Sequence, residues 1–365
     1  MRWSRTLAIV AVGVLAASGA SAMFRAADLV VVPVAASTTG LSGSNWKSDV
    51  EIMNVDTVNI DVEIVLLECC GNNNAVWFAD IKNHLGGRSS DGFGHVNASL
   101  ADIPPGRAVT ITDVIGTGFG LSGVKGALLV FAYQANTLSS PPGGVPKNII
   151  VNSRSYDSGT NTSGSAYTFG QAVPGIPWYY YLDPTKKSIG LDHLVFTGLR
   201  EDAAYRTAIG LVNISDRTTS IDVQLTLTGQ DGVQIGQQML AMAPLAHDQE
   251  DQAIVNLFGK TVADAIQGAT LDLQVPVYIS GADSPAPALM AYVSRIDNVS
   301  NDPILIEQAY NRPLPWDCVF NGNCIGMTSA MDLMPSPAAV RAKAAEAAAA
   351  PPTPPHLRPP APRTR

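Results

Sequence analysis

Two ten-residue stretches decide the fold: Trp46-Lys47-Ser48-Asp49-Val50-Glu51-Ile52-Met53-Asn54-Val55 and Tyr205-Arg206-Thr207-Ala208-Ile209-Gly210-Leu211-Val212-Asn213-Ile214. They match class by class: aromatic, basic, hydroxyl, variable, apolar, variable, apolar, apolar, Asn, apolar. Four further blocks recur in the same order. Ile60-Asp61-Val62-Glu63-Ile64 is answered by Ile221-Asp222-Val223-Gln224-Leu225. Ser153-Arg154-Ser155-Tyr156-Asp157 is answered by Ser294-Arg295-Ile296-Asp297. Gln171-Ala172 precedes Ile176-Pro177-Trp178, and Gln308-Ala309 precedes Leu314-Pro315-Trp316. Ordered blocks at a period near 150 residues mean duplication of a domain rather than a solenoid.

The matched blocks read as strands. Ile60, Val62, Ile64 and Leu66 alternate with Asp61, Glu63 and Val65, and Ile221, Val223, Leu225 and Leu227 with Asp222, Gln224 and Thr226. A period of two with polar partners predicts half-buried antiparallel strands. Asn54 to Asn59 and Asn213 to Ser220 read as turns, and Asp231-Gly232 as a hairpin signal. The fold class expected is all-β: two tandem antiparallel β-sandwich domains, Ig-like preferred, a jelly roll the alternative. Ala263 to Gln267 is expected as a helical turn. The first half carries a polar excursion, Ala79 to Asp102, with no counterpart of that length in the second; such loops are often functional.

Outside the repeat, Arg2 and Arg5 precede an apolar run, Leu7 to Ala17, and a small-residue site, Ala20-Ser21-Ala22. This is the pattern of a secretory signal peptide, too short to span a bilayer. The expected division is 1–22 signal peptide, 23–178 first repeat, 179–333 second repeat, and 334–365 a basic Ala/Pro-rich disordered tail. The location expected is exported: periplasmic, extracellular or at the cell surface. No later apolar run predicts a transmembrane span in the mature chain.

Four cysteines suit an oxidising compartment. Cys318 and Cys324 bracket a turn and can bridge each other. Cys69 and Cys70 can form a vicinal bridge, stay free, or pair with the C-terminal two. Positions 23–336 carry 16 basic and 30 acidic residues. Such an acidic body disfavours nucleic acid, whose phosphates demand a basic surface. It is compatible with calcium, and the oxygen-rich turns at Asp157 and at Asp297, Asn298 and Asp302 are the candidate ligands. Trp178-Tyr179-Tyr180-Tyr181 is the candidate carbohydrate-stacking face, although a residue repeated at a domain boundary reads more simply as a packing anchor. Arg154 and Arg295 read as equivalent structural ion-pair residues. No Gly-x-Ser-x-Gly elbow is present, and none of the five histidines, at 84, 95, 193, 247 and 356, has a recognisable triad setting.

The aromatic–Arg/Lys–Ser/Thr strand followed by an Asn-centred turn resembles uncharacterised exported bacterial proteins with tandem Ig-like β-sandwich repeats. The resemblance covers most of positions 30–316. It implies a secreted bacterial β-protein and adds no catalytic or cofactor residue. The functional expectation is a non-enzymatic protein with a structural, adhesive or interaction role, its partner a protein or glycan at the cell envelope. The alternatives are a carbohydrate- or calcium-binding module and a secreted hydrolase using the 79–102 excursion.

Overall fold

The computed structural model describes residues 26–70, 75–79, 100–137, 144–160, 166–189, 191–215, 219–279, 287–306 and 308–310. The signal-like segment, most of the 79–102 excursion, Trp316, Cys318, Cys324 and the tail lie outside the described residues.

The described chain is mostly antiparallel strand. The first half holds β1 (Leu29–Thr39), β2 (Asn45–Asn54), β3 (Ile60–Glu68), β4 (Ala75–Ala79), β5 (Ala108–Ile111), β6 (Val124–Gln134), β7 (Ile149–Thr160), β8 (Ala166–Pro174) and β9 (Ile176–Pro177). The second holds β10 (Leu194–Glu201), β11 (Tyr205–Asn213), β12 (Ile221–Thr228), β13 (Gln234–Met242), β14 (His247–Glu250), the short helix α1 (Ala253–Phe258), β15 (Ile266–Val277), β16 (Leu289–Asp297), β17 (Pro303–Ile306) and β18 (Ala309–Tyr310).

Strand order is the same in both halves, each strand answering the one nine places later. In the second half β13-β12-β15-β10-β18 form one sheet and β14-β11-β16-β17 another. In the first, β4-β3-β6-β1 with β9, and β5, β2, β7 and β8, follow the same neighbours, joined where Ser37 to Thr39 of β1 turn the corner onto β2. Even irregularities recur. β1 bulges between Val32 and Ala35 and β10 between Thr197 and Leu199. Left-handed Asp113 and Gln252 each open a helical turn that closes on Phe119-Gly120 and Phe258-Gly259, the glycines again left-handed. This order differs from the expected Ig arrangement, in which the first strand runs beside the second along its length and the last adjoins the sixth; β1 reaches β2 only at Ser37 to Thr39. Here β1 lies beside β6 and β7 beside β2, so the first and seventh strands have exchanged sheets.

The repeated polar positions have local structural roles. The backbone N–H of Ala36 donates to Ser48 Oγ (2.9 Å) and that of Arg200 to Thr207 Oγ1 (3.1 Å), so each hydroxyl satisfies an amide just past a bulge. Asn54 Nδ2 donates to the carbonyls of Val58 and Ile103, and its Oδ1 accepts from the Asp56 amide. Asn213 repeats this with the Ala243 carbonyl and the Ser215 amide. Both side chains are fully buried. Removing either side chain breaks at least three hydrogen bonds of a buried amide at the strand end. Asn54→Ala and Asn213→Ala are each expected to cost about 1–3 kcal/mol, even though the Ile103 carbonyl keeps the Ile60 amide as a donor. Asn→Asp should be no milder, because it sets a carboxylate against those carbonyls. Denaturant midpoints at unchanged m-value are the check.

The sheets stack in four layers. β5-β2-β7-β8 and β4-β3-β6-β1 share one apolar cluster, containing Ile52, Ile64, Val130 and Val151. Val212, Ile214, Leu245, Met290 and Tyr292 of the second half belong to the same cluster. The next residues along, Leu211, Leu289, Ala291 and Val293, join Leu225, Leu271 and Phe196 in the second cluster. Strands β11 and β16 therefore bury both faces, one in each core, which is why they read as continuous apolar runs.

Several expectations need correction. β12 alternates buried and open positions as expected, but β3 is buried at both phases. Asp61 is buried because its carboxylate accepts the amides of Asp102 and Asn136, tying two loops to the strand. Gln171 lies on β8, whereas Gln308 follows β17, so these two are not equivalent. Tyr310 faces Leu194 as Pro177 faces Val30, which also parts the two apolar-Pro-Trp blocks. The expected helical turn at 263–267 sits slightly earlier, at Val262–Asp264. No helix among the described residues is long and apolar enough to cross a membrane.

Candidate functional site

A cleft of about 250 Å³ opens along the seam between the halves. The bend of β1 makes one wall, with Thr38, Gly40 and Leu41 beside Trp46 at the start of β2. The end of β3 contributes Glu68, Cys69 and Cys70, and the start of β6 contributes Val124 and Lys125. The outward face of the second half supplies the opposite wall, with Arg206, Gln249, Asp251, Tyr292 and Ser294.

The strand period aims these side chains. Tyr292 stands directly opposite Gly210 on β11, and its ring occupies the space a Cβ at 210 would need. Glycine within a strand commonly marks such a close approach. Tyr292 is only 3% exposed, and its hydroxyl has no hydrogen-bond partner among the described residues. Burial, with the negative charges of Asp251 and Asp248, pushes this phenol well above its ordinary range. Gln249 Oε1 is likewise buried without a described partner. Beside Tyr292, the fully buried ring of His247 lies nearly parallel at 6.3 Å between centroids. Burial, reinforced by Lys125, holds the His247 imidazole down at about 3.

Charge in the cleft is unevenly matched. Lys125 Nζ and Asp251 Oδ2 pair at 3.2 Å across the seam, and Ser294 Oγ donates to Gln171 Oε1 at 2.8 Å. Arg206, 4% exposed, donates to Asn298 Oδ1 and Asn301 Oδ1, both at 3.0 Å. Its guanidinium finds amide oxygens rather than a carboxylate, and burial lowers its pKa. Glu68 is half-buried, and desolvation raises its carboxyl pKa. The sulfurs of Cys69 and Cys70 are in contact, and with an Asp248 carboxylate oxygen they lie within 4.8 Å of one another.

The other residues singled out from the sequence fall elsewhere. Trp178 and Tyr181 are buried in the first core. Trp178 Nε1 donates to Asp28, Tyr179 OH to the Ala26 carbonyl, and Lys186 Nζ to Tyr181 OH, while the Tyr180 carbonyl accepts from Gln308. Side-chain oxygens of Asp157, Asp297 and Asn298 in the candidate calcium turns accept hydrogen bonds from within the protein. Asp297 Oδ1 accepts the amides of Val299 and Ser300, Asn298 accepts Arg206, and Asp157 Oδ1 accepts the Asn45 amide at 2.6 Å. Asp302, exposed, donates its amide to Ser300 Oγ.

Arg154 and Arg295 are not equivalent. Asp157 faces Trp46 as Asp297 faces Tyr205, so Arg154 answers Ser294 and the two arginines sit one residue out of phase. That slip turns them to opposite faces. Arg154 is exposed and donates to Thr168, whereas Arg295 lies over the Tyr205 ring. His193 stands between Asp272 (3.0 Å) and Asp192 (3.5 Å), away from the cleft.

The cleft residues escaped sequence reasoning because Trp46, Arg206 and Ser294 looked like repeated strand positions. Gly210 carried the available signal, an interior strand glycine where the other copy has Glu51, between Val50 and Ile52. Compared with family models, curated proteins and solved structures, the chain matches none.

Proposed function

We propose that this is an exported, non-enzymatic recognition protein of two tandem β-sandwiches, Ig-like in layering, that binds a small solute in the cleft between them. The observation that carries the reading is the seam itself. Polar groups that normally find partners when buried, the Tyr292 hydroxyl and Gln249 Oε1, border an open volume lined by Trp46 and Arg206. A concave site with a few convergent polar groups is the usual form of a ligand pocket. The signal-like N-terminus supports export. The contact of Cys69 with Cys70 is read as a disulfide between neighbours, in keeping with an oxidising compartment.

The test is a small-solute screen on the mature chain by thermal shift and ligand-observed NMR. At least one solute is expected to raise the melting temperature, and Trp46→Ala, which opens one wall, to abolish that shift while the protein stays folded. Absence of any Trp46-dependent ligand would remove the proposal. Binding on a glycan array that survives Trp46→Ala would move recognition to another surface. Thiol titration of the same preparation should find Cys69 and Cys70 unreactive.

A further inference from the structure

Four charged side chains line the cleft, and only two of them are in direct contact as an ion pair. Lys125 and Asp251 form their pair. Arg206 is a fixed, desolvated cation whose described hydrogen-bond partners are the neutral oxygens of Asn298 and Asn301; the carboxylates of Asp251, Glu201, Asp297 and Asp157 act on it from beyond ion-pair distance. Glu68, on the opposite wall, has no cation or hydrogen-bond donor on its carboxylate among the described residues. Arg206 is buried and Glu68 half-buried, neither holds a counter-ion in direct contact among the described residues, and both border the same small volume.

Resting on the reading of the cleft as a ligand site, we propose that its ligand is a free α-amino acid, carboxylate toward Arg206 and ammonium toward Glu68. A simple anion would satisfy Arg206 and face Glu68 and Asp251 with like charge. A simple amine would do the reverse. A neutral sugar would bring neither group a counter-ion in direct contact. One small dipolar molecule answers both at once, which is how a site rejects analogues lacking either group. Size agrees: about 250 Å³ lies just under the usual range of small-molecule sites, which suits one small solute and excludes a glycan chain or a folded partner. The Tyr292 hydroxyl and the Gln249 Oε1 offer a donor and an acceptor without described partners. Trp46, Val124 and Ile296 give the ligand side chain an apolar surface.

The test is calorimetric titration of the mature chain with the common L-amino acids singly, alongside propionate, propylamine and glucose. At least one amino acid is expected to bind, with propionate and propylamine weaker by about tenfold or more, a difference of roughly 1.4 kcal/mol. Glu68→Gln, which breaks no described hydrogen bond, should weaken that amino acid about tenfold without lowering the ligand-free melting temperature. Arg206→Lys, which keeps the charge but loses the planar fork, should also weaken it. Propionate binding as tightly as the amino acid, or full affinity in Glu68→Gln, would overturn the proposal. A neutral solute that binds in a Trp46-dependent way, with no amino acid doing so, would overturn the zwitterion and leave the cleft reading standing. No Trp46-dependent ligand of any kind would end both.

Discussion

Between pH 7 and pH 4 the buried His247 should cost the protein several kcal/mol of stability relative to His247→Phe, which does not carry that cost. The ring of His247 is fully buried between the halves, neither nitrogen has a described partner, and its folded pKa is about 3 against an ordinary 6.5. Between those values the unfolded chain takes up a proton that the folded chain refuses. Stability from this residue is therefore complete above pH 6.5 and falls as pH drops toward 3. At about 1.4 kcal/mol per unit, the full effect is on the order of 5 kcal/mol. Glu201 works in the opposite sense. Its buried carboxyl is pushed up to about 7, so its contribution is intact below about 4.5 and is lost as pH rises through 7. Glu201→Gln should therefore raise stability at pH 8 and change little at pH 4. Other carboxylates also weaken the fold in acid, so the decisive quantity is the difference between parent and His247→Phe. Parallel curves of unfolding free energy against pH for the two proteins would sink this account.

Gly210→Ala should destabilise by about 3 kcal/mol, toward the upper end of what overpacking costs. The backbone at 210 is not left-handed, and alanine loses less chain entropy than glycine on folding. A mild gain would follow if only the backbone mattered. The added methyl, however, meets the Tyr292 ring, which is held in the seam between two cores. Shifting that ring disturbs His247 and the cleft together. The pair Gly210→Ala with Tyr292→Ala should cost less than the sum of the single changes, because the second removes what the first strikes. A neutral Gly210→Ala, or strict additivity, would show the ring to be free to move.

Strand existence was legible because a two-residue period survives in Ile60 to Leu66 and Ile221 to Leu227 whatever the tertiary arrangement. The repeat was legible through its hydroxyl and Asn positions, each of which satisfies a buried backbone group. Strand order was not, because exchanging β1 with β7 alters no residue's burial period. Burial of Asp61 was hidden too, since its partners come from the distant backbone at 102 and 136. The arginine pair misled for a related reason: Ser-Arg recurs in both blocks, but register is set by Asp157 and Asp297, and a single-residue offset reverses the face. The cleft was least legible, because its walls are outer faces of the two halves, and no local pattern records which outer faces meet.

β3 and β12 occupy the same place in their halves yet differ in what they present outward. On β12 and β13, Asp222, Gln237 and Gln238 are open to water. On β1 and β6 of the equivalent first-half sheet, consecutive residues are sealed on both sides. The pair therefore has a direction: one member is shaped to be covered and the other to terminate the stack, as end units do in longer arrays. The halves are siblings in topology but are not interchangeable, and their order along the chain is part of what the sequence specifies.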